Sequence, residues 1–85
     1  MKIKIQIDQI RLEPETIDWD LSNAPIIIGR DKKCDLVLDP FDTGCSRKHC
    51  TIKLVNNSPM IFNHGKNGTF VNDVEVNEDG RRLYL

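Results

Sequence analysis

Short stretches in which apolar and polar residues alternate dominate this chain. Residues 2–7, Lys-Ile-Lys-Ile-Gln-Ile, alternate strictly, as expected for a strand with one buried face, because successive side chains of a strand point to opposite sides. Further strand-like runs are residues 16–21, 24–28, 36–38, 49–55, 60–62, 69–71, 74–76 and 83–85. None of them carries the apolar stripe of a helix, so the pattern predicts an all-β protein.

Turn-forming residues separate these runs. They are Glu13-Pro14, Ala24-Pro25, Asp39-Pro40, Asn56-Asn57-Ser58-Pro59, Asn67-Gly68 and Asp79-Gly80. Short strands at this spacing predict an antiparallel β-sandwich or barrel. The Asn67-Gly68 pair predicts a type I′ hairpin turn between the runs at 60–62 and 69–71, since both residues tolerate positive φ.

The length of the chain limits its organisation. A protein of 85 residues buries only about 60% of the surface of its unfolded chain and has room for one small core. We therefore expect a single domain over residues 1–85 rather than a two-domain enzyme with a cleft between its halves.

The near-neutral charge conceals an uneven distribution. The chain has 12 basic and 13 acidic residues and a net charge of −1. No Asp or Glu occurs between Asp42 and Asp73, whereas the same window contains Arg47, Lys48, His49, Lys53, His64 and Lys66. Either this is a solvated basic face or carboxylates are excluded from a place where another anion binds.

The sequence also indicates a cellular compartment. The longest apolar run, Ile26-Ile27-Ile28, is far too short to span a membrane. The first residues alternate in polarity and do not resemble a secretory signal. Three cysteines with no paired spacing favour a reducing environment, so we expect a nuclear or cytoplasmic protein without membrane association.

Two segments carry candidate binding chemistry. In Ser46-Arg47-Lys48-His49 a hydroxyl stands beside a guanidinium, whose planar fork of N–H donors matches the oxygens of a phosphate. In Gly29-Arg30 an arginine follows a strand whose last residue permits close approach of another backbone. Each segment alone is also compatible with an ordinary basic turn.

Taken together and in order, these residues resemble the forkhead-associated (FHA) domain, a reader of phosphothreonine peptides. The resemblance rests on Gly29-Arg30, Ser46-Arg47-Lys48-His49 and Asn67-Gly68-Thr69-Phe70-Val71-Asn72. It covers residues 26 to 72 and implies an FHA-like sandwich. The segment Gly29 to Asp35 and the tail with Arg81-Arg82 are similar to FHA domains of checkpoint-type kinases, which implies signalling in the cell cycle or after DNA damage.

The resemblance implies a role for each matching position. Arg30 and Ser46 would hold the phosphate, Arg47 would contact the phosphate or the peptide main chain, and Asn67 would bind the peptide backbone. The residues that would support this site are Gly29, His49, Gly68, Thr69 and Asn72. The partner would be a protein or peptide containing phosphothreonine.

Two features depart from the family pattern. Lys66 stands where the family often has a small residue. It would add a third cation to the phosphate or partly cover the pocket for the threonine methyl group, and we prefer the first of these interpretations.

The second departure is at the end of the chain, because in the family one further hairpin normally follows the segment that here ends at Leu85. The chain is therefore either a fragment or a sheet with an exposed edge, for which we expect marginal stability or self-association.

Three other functions deserve comparison. A hydrolase using Ser46 or Cys45 with His49 lacks a nucleophile elbow and a carboxylate to orient the imidazole. A zinc site from the cysteines and histidines lacks the usual ligand pairs. Binding of single-stranded nucleic acid, the main alternative, needs exposed aromatic residues, and most aromatics here lie within apolar runs. We therefore expect a phosphopeptide-binding module that is not an enzyme and uses no metal or cofactor.

Overall fold

The described residues form nine β-strands and no helix. The computed structural model describes residues 1–7 and 13–84. The strands are β1 (Lys2–Ile7), β2 (Glu15–Asp20), β3 (Ile26–Gly29), β4 (Leu36–Val37), β5 (Cys50–Val55), β6 (Ser58–Asn63), β7 (Phe70–Val71), β8 (Val74–Glu75) and β9 (Arg81–Arg82). The prediction of an all-β sandwich is confirmed.

A five-stranded sheet in the order β4-β3-β5-β6-β9 forms the centre of the fold. Strands β5 and β6 form its longest hairpin, in which six residue pairs run from Cys50↔Asn63 to Val55↔Ser58. The turn between them consists of Asn56 and Asn57, whose φ angles of 51° and 64° are those that a type I′ turn requires. This turn matches the right-handed twist of the strands on either side.

Two separate hairpins complete the architecture. Strands β1 and β2 pair antiparallel over six residues, from Lys2↔Asp20 to Ile7↔Glu15, as the alternation of the first residues predicts. Strands β7 and β8 form a short hairpin. Its turn residues Asn72 and Asp73 also have positive φ, 50° and 66°.

The core lies between these sheets and is aliphatic. Its buried residues are Ile3, Leu21, Ile26, Leu36, Cys50, Ile52, Ile61 and Val76. Because the residues of a strand alternate between faces, the inward side chains of β3, β5 and β6 belong to this cluster, whereas Ile27, Lys53 and Phe62 lie on the outer face. The outer face of the central sheet is thus open to solvent.

The structure corrects the prediction of a hairpin at Asn67-Gly68. Gly68 has a φ of 85°, but Asn67 is not among the residues with positive φ. The preceding strand β6 pairs with β5 and β9, and β7 pairs with β8. The Asn-Gly pair therefore lies in a loop between sheets, because tertiary pairing overrides the local turn preference.

Three further expectations differ from the structure. One ladder is parallel, since β3 pairs with β4 in the same direction; the connection between them is short and contains turns at residues 31–34. The aromatic residues are also more exposed than the apolar runs suggest: Phe41, Phe70 and Tyr84 are 72%, 61% and 85% exposed. The predicted strand at 83–85 is not formed at residues 83–84, and Leu85 lies outside the described residues.

The assignment of residues 1–85 to a single domain stays a prediction. In the described part of the chain, no helix is long and apolar enough for a membrane crossing.

Candidate phosphopeptide site

Three loops converge at one end of the central sheet. They follow β3, precede β5 and connect β6 to β7. The first two are joined through their backbones, since Arg30 N donates to Ser46 O (3.2 Å) and Asp31 N donates to Arg47 O (3.0 Å). The segments that carry the predicted residues, far apart in sequence, therefore become neighbours.

Gly29 is required where these two loops cross. A Cβ atom built on Gly29 would overlap the Arg47 carbonyl group, whose carbon would lie only 2.7 Å away. The nearest atoms all belong to the backbone of Arg47 and Lys48, which cannot rotate aside as a side chain does. The predicted supporting role of Gly29 thus has a concrete steric basis.

Arg30 is held in place by the loop that precedes β5. Its Nε donates to the Cys45 carbonyl oxygen, and its Nη1 lies 3.4 Å from the Pro40 carbonyl oxygen. The side chain is half-buried. Two main-chain acceptors therefore orient the guanidinium before any ligand arrives.

That loop is shaped by two aspartates that sequence reasoning missed. The Asp39 carboxylate accepts from Phe41 N (2.9 Å), and the Asp42 carboxylate accepts from Gly44 N (3.0 Å). Bonds of this type, from an Asp side chain to the backbone two residues later, are Asx-turns. The pattern Asp-Pro-Phe-Asp-Thr-Gly at residues 39–44 could have indicated these turns, because Asp, Pro and Gly are typical turn residues.

His49 connects the two loops on either side of the site. Its Nδ1 accepts from the backbone N–H of Ser46 (3.1 Å), so the ring proton is on Nε2, which donates to the Gly68 carbonyl oxygen (2.9 Å). The ring packs directly against Gly65, where an added Cβ would approach ring atoms to 2.5 Å. Both ring nitrogens are thus engaged in hydrogen bonds that hold the two loops together.

Ser46 and Asn67 approach each other across the site. The backbone N–H of Lys66 donates to Ser46 Oγ (3.3 Å), and Asn67 Nδ2 donates to the Gly44 carbonyl oxygen (3.0 Å). Arg47, Lys66 and Asn67 are exposed. The structure therefore brings the five predicted binding residues onto adjoining loops.

The supporting residues have unequal positions. Thr69 Oγ1 donates to Asn63 Oδ1 (2.7 Å), and Asn63 in turn bonds both backbone groups of Gly65. Sequence reasoning missed Asn63 and Gly65, although Asn-His-Gly is a turn signal. Asn72 is instead exposed in the β7–β8 turn and, within the described part of the chain, makes no hydrogen bond to the three loops.

Among the described residues, no carboxylate forms an ion pair with the cations of the site. Within residues 1–7 and 13–84, the only ion pair joins the N-terminus to Asp20 at 3.2 Å. The cations of the site, including Arg47 and Lys66, therefore have no carboxylate within ion-pair distance in this part of the chain. An anion that binds there need not displace an existing charge partner.

The geometry weakens the hydrolase interpretation. His49 accepts from the main-chain N–H of Ser46 rather than activating its hydroxyl. Burial, followed by the nearby Asp42 carboxylate, raises the pKa of the Cys45 thiol, so it is a poorer nucleophile than an ordinary cysteine. Burial also raises the pKa of Cys50 to about 11. None of these groups is activated.

The zinc interpretation finds no support either. Among the residues that the structure describes, no three His, Cys, Asp or Glu side chains form a cluster that could hold a metal ion.

Comparison with known proteins identifies the class. The model of the FHA domain family matches residues 26–84, and the chain therefore belongs to the FHA family. Its resemblance to that family, inferred from Gly29-Arg30 and the two later motifs, is confirmed. No curated protein matches the chain significantly.

Similar solved structures are FHA domains. One is an engineered FHA domain with a Myc-pTBD peptide (TM-score 0.72, 20% identity, 98% of this chain and 72% of that chain). A second comes from an analysis of phosphothreonine-dependent FHA domain interactions (TM-score 0.72, 26% identity, 98% and 78%). A third is the N-terminal FHA domain of S. cerevisiae Rad53p in complex with a phosphothreonine peptide (TM-score 0.73, 20% identity, 98% and 74%).

Proposed function

We propose that this FHA domain binds phosphothreonine-containing segments of partner proteins across the loops that bear Arg30, Ser46 and Asn67. FHA domains are phosphopeptide-binding modules rather than enzymes. The observation that carries the proposal is the convergence of Arg30 and Ser46 at the end of one sheet, since Arg30 N donates to Ser46 O. A fork of donors and a hydroxyl so placed suit a phosphate.

Each residue has a distinct part in this proposal. Arg30 supplies the ionic contact to the phosphate, and Ser46 supplies a hydroxyl donor. Arg47 and Lys66, both exposed, add positive charge beside it, which matters because a phosphothreonine carries about −1.5 to −2 charges at neutral pH. Asn67 exchanges its bond to Gly44 O for one to the peptide backbone.

The hydrogen bonds that His49 makes to the site loops support this proposal as much as the charges do. His49 bonds one loop at Ser46 N and another at Gly68 O, so the donors are already positioned and less ordering entropy is lost on binding. A short extended peptide nevertheless covers little area. We expect modest affinity that weakens with added salt, because exposed charges are screened.

Single-stranded nucleic acid remains the less favoured ligand. The exposure of Phe41, Phe70 and Tyr84 would permit stacking. The net charge of −1 and the FHA family membership favour the phosphopeptide.

The test is a binding measurement with three matched peptides. Fluorescence anisotropy would compare phosphothreonine, phosphoserine and unphosphorylated versions of a peptide library. We expect binding of the phosphothreonine form, which Arg30→Ala abolishes while the thermal melt stays cooperative. Arg82→Ala, which removes an exposed guanidinium from β9, is the matched control. Equal binding by the Arg30 variant and the parent would show that the site is misassigned.

The cellular role is part of the same proposal. Checkpoint-type signalling is supported by the similarity to the Rad53p domain. A nuclear or cytoplasmic location stays a prediction from the sequence.

Self-association through an open sheet edge also stays a proposal. Strand β9 is the last strand of the central sheet, although its two arginines would oppose the pairing of two such edges. Sedimentation velocity over a range of concentrations tests it.

A further inference from the structure

The outer face of the central sheet contains a second positively charged surface. A cleft of about 330 Å³ lies there, lined by residues that include Ile27, Lys48, Thr51, Lys53, Phe62 and His64. The strand register explains this grouping, since Thr51 is paired with Ile27 on one side and with Phe62 on the other. We refer to this surface as the basic cleft.

The cleft combines cations with an apolar floor. No acidic residue is among those that line it. Lys53 Nζ lies 5.0 Å from the centre of the Phe62 ring, so its ammonium group is held over the cleft. His64 Nε2 lies 3.0 Å from Thr51 Oγ1.

The pKa of His64 is affected by two lysines of the cleft. Burial first, and then the charges of Lys48 and Lys53, lower the pKa of His64. This effect agrees with the geometry, since Lys48, Lys53 and His64 line the same cleft. Two like charges in one cleft, with no carboxylate among its lining residues, favour an anionic ligand.

The basic cleft is continuous with the proposed phosphate site. A smaller cleft of about 180 Å³ is lined by Ile27, Asp31, Lys33, Cys34, Arg47 and Lys48, so it shares Ile27 and Lys48 with the basic cleft and reaches the residue next to Ser46. Its one carboxylate, Asp31, is accompanied by three cationic side chains in the same lining. From Lys48, which precedes β5, to Lys53 within it, the chain spans at most about 16 Å, at roughly 3.3 Å per residue. An extended peptide covers that distance with about five residues.

We infer that the basic cleft binds an acidic segment of the same partner, about five residues from its phosphothreonine. Carboxylates would contact Lys48 and Lys53, and a neighbouring apolar side chain would pack on Ile27. The inference rests on the proposed function for the first contact and adds a second one. Linking two weak contacts raises affinity because the second binds at a high effective concentration.

The surroundings favour an acidic peptide over nucleic acid. Phe62 is half-buried and lies beneath Lys53, which leaves a poor platform for stacking a base. The net charge of the chain is −1, so a long polyanion would soon meet acidic surface. A peptide needs only the cleft itself.

The experiment compares three phosphothreonine peptides by isothermal titration calorimetry. One is short, one carries an extension with three Glu and one Leu, and one carries the same extension with Gln in place of Glu; extensions are made on each side of the phosphothreonine. We expect the acidic extension on one side to raise affinity about threefold to tenfold, as two or three exposed ion pairs would. The Gln extension should give no such gain.

Two double variants locate the effect. Lys48→Gln with Lys53→Gln should remove the gain and leave binding of the short peptide within about twofold. Lys2→Gln with Lys4→Gln is the matched control, because it removes two exposed lysines from strand β1 of another sheet. It should preserve the gain.

The outcomes separate this inference from the proposed function. If the short peptide binds and neither acidic extension helps, the basic cleft is wrongly assigned while the phosphothreonine site stands. If no phosphopeptide binds, the proposed function fails, and the inference that depends on it falls with it. A gain that survives the Lys48 and Lys53 substitutions overturns the inference. So does tighter binding of a single-stranded oligonucleotide than of the acidic peptide to the same lysines.

Discussion

Replacing His49 with alanine tests how the site loops are held together. The imidazole bonds Ser46 N at 3.1 Å and Gly68 O at 2.9 Å, and it packs against Gly65. Alanine removes both bonds and leaves a space where the ring was. The loops that carry Ser46 and Asn67 then lose their common support.

The cost follows from these contacts. Each hydrogen bond contributes about 0.5–1.5 kcal/mol, and a donor or acceptor left unsatisfied costs about 1–3 kcal/mol. Because the His49 ring is only half-buried, water can bond part of the backbone groups that lose their partner, and we use the lower part of each energy range. The sum is about 2–4 kcal/mol, which in a domain of this size lowers the melting temperature by roughly 10–25 °C.

Thermal melts followed by circular dichroism measure the change. His64→Ala is the matched control, since His64 is exposed and its ring is hydrogen-bonded to the Thr51 side chain alone among the described residues. The melting temperature of this variant should change by less than about 4 °C, as expected for a surface substitution. A melting temperature of His49→Ala within the same margin would refute the structural role of this histidine.

A double-mutant cycle with Gly65 sharpens the test. Gly65→Ala places a Cβ about 2.5 Å from the His49 ring and should cost about 1–3 kcal/mol through overpacking. In the His49→Ala background the same methyl group enters the space left by the ring. The second substitution should therefore cost much less there, or even restore stability, whereas additive losses would show that the two residues do not interact as described.

Three further predictions concern the site loops and the strand β5 that follows one of them. Gly29→Ala should unfold the domain or lower its melting temperature by more than 10 °C, since the Cβ overlaps the Arg47 carbonyl, whereas Gly44→Ala should fold normally, and both are checked by thermal melts. Asn67→Ala should weaken phosphopeptide binding about tenfold, as expected for the loss of one or two hydrogen bonds, with little loss of stability, because its bond to Gly44 O is exposed; unchanged affinity in calorimetry would contradict this. Cys50, buried and with a pKa of about 11, should react with iodoacetamide at pH 8 far more slowly than the other two cysteines, as mass spectrometry of peptides would show.

The sequence predicts the fold well where a strand has one buried face. The alternation of residues 2–7 gives the register of β1 with β2, because a slip by one residue would turn Ile3 and Ile5 toward solvent. The turn at Asn56-Asn57 is likewise a local property. Neither prediction needs knowledge of distant contacts.

Pairing between distant segments is less predictable. The Asn67-Gly68 pair has the stronger hairpin composition, yet the type I′ φ angles occur at Asn56-Asn57 and Asn72-Asp73. The difference arises because β6 is already paired on both edges, with β5 and β9. No local rule contains that information, and the short parallel ladder of β4 escapes prediction for the same reason.

The candidate site shows a similar division. Arg30, Ser46 and Asn67 are recognisable from their order along the chain. The residues that place them are not: Asp39 and Asp42 act on the backbone of their own loop, and Gly65 matters only because a ring from another strand end packs on it. Binding chemistry is thus visible in residue types, whereas its support depends on contacts made after folding.

These supports also explain why the site should require a phosphate. In the free protein, Arg30 donates to the carbonyl oxygens of Pro40 and Cys45, and Asn67 donates to Gly44 O. A ligand must offer these donors something better than a neutral carbonyl. An ionised phosphate does so, because it can accept two parallel bonds from the Arg30 guanidinium and adds the attraction of opposite charges, whereas a threonine hydroxyl does not. The discrimination therefore lies in the competition between the ligand and the loop residues 40–45, and it should depend on Arg30 more than on the exposed cations around it.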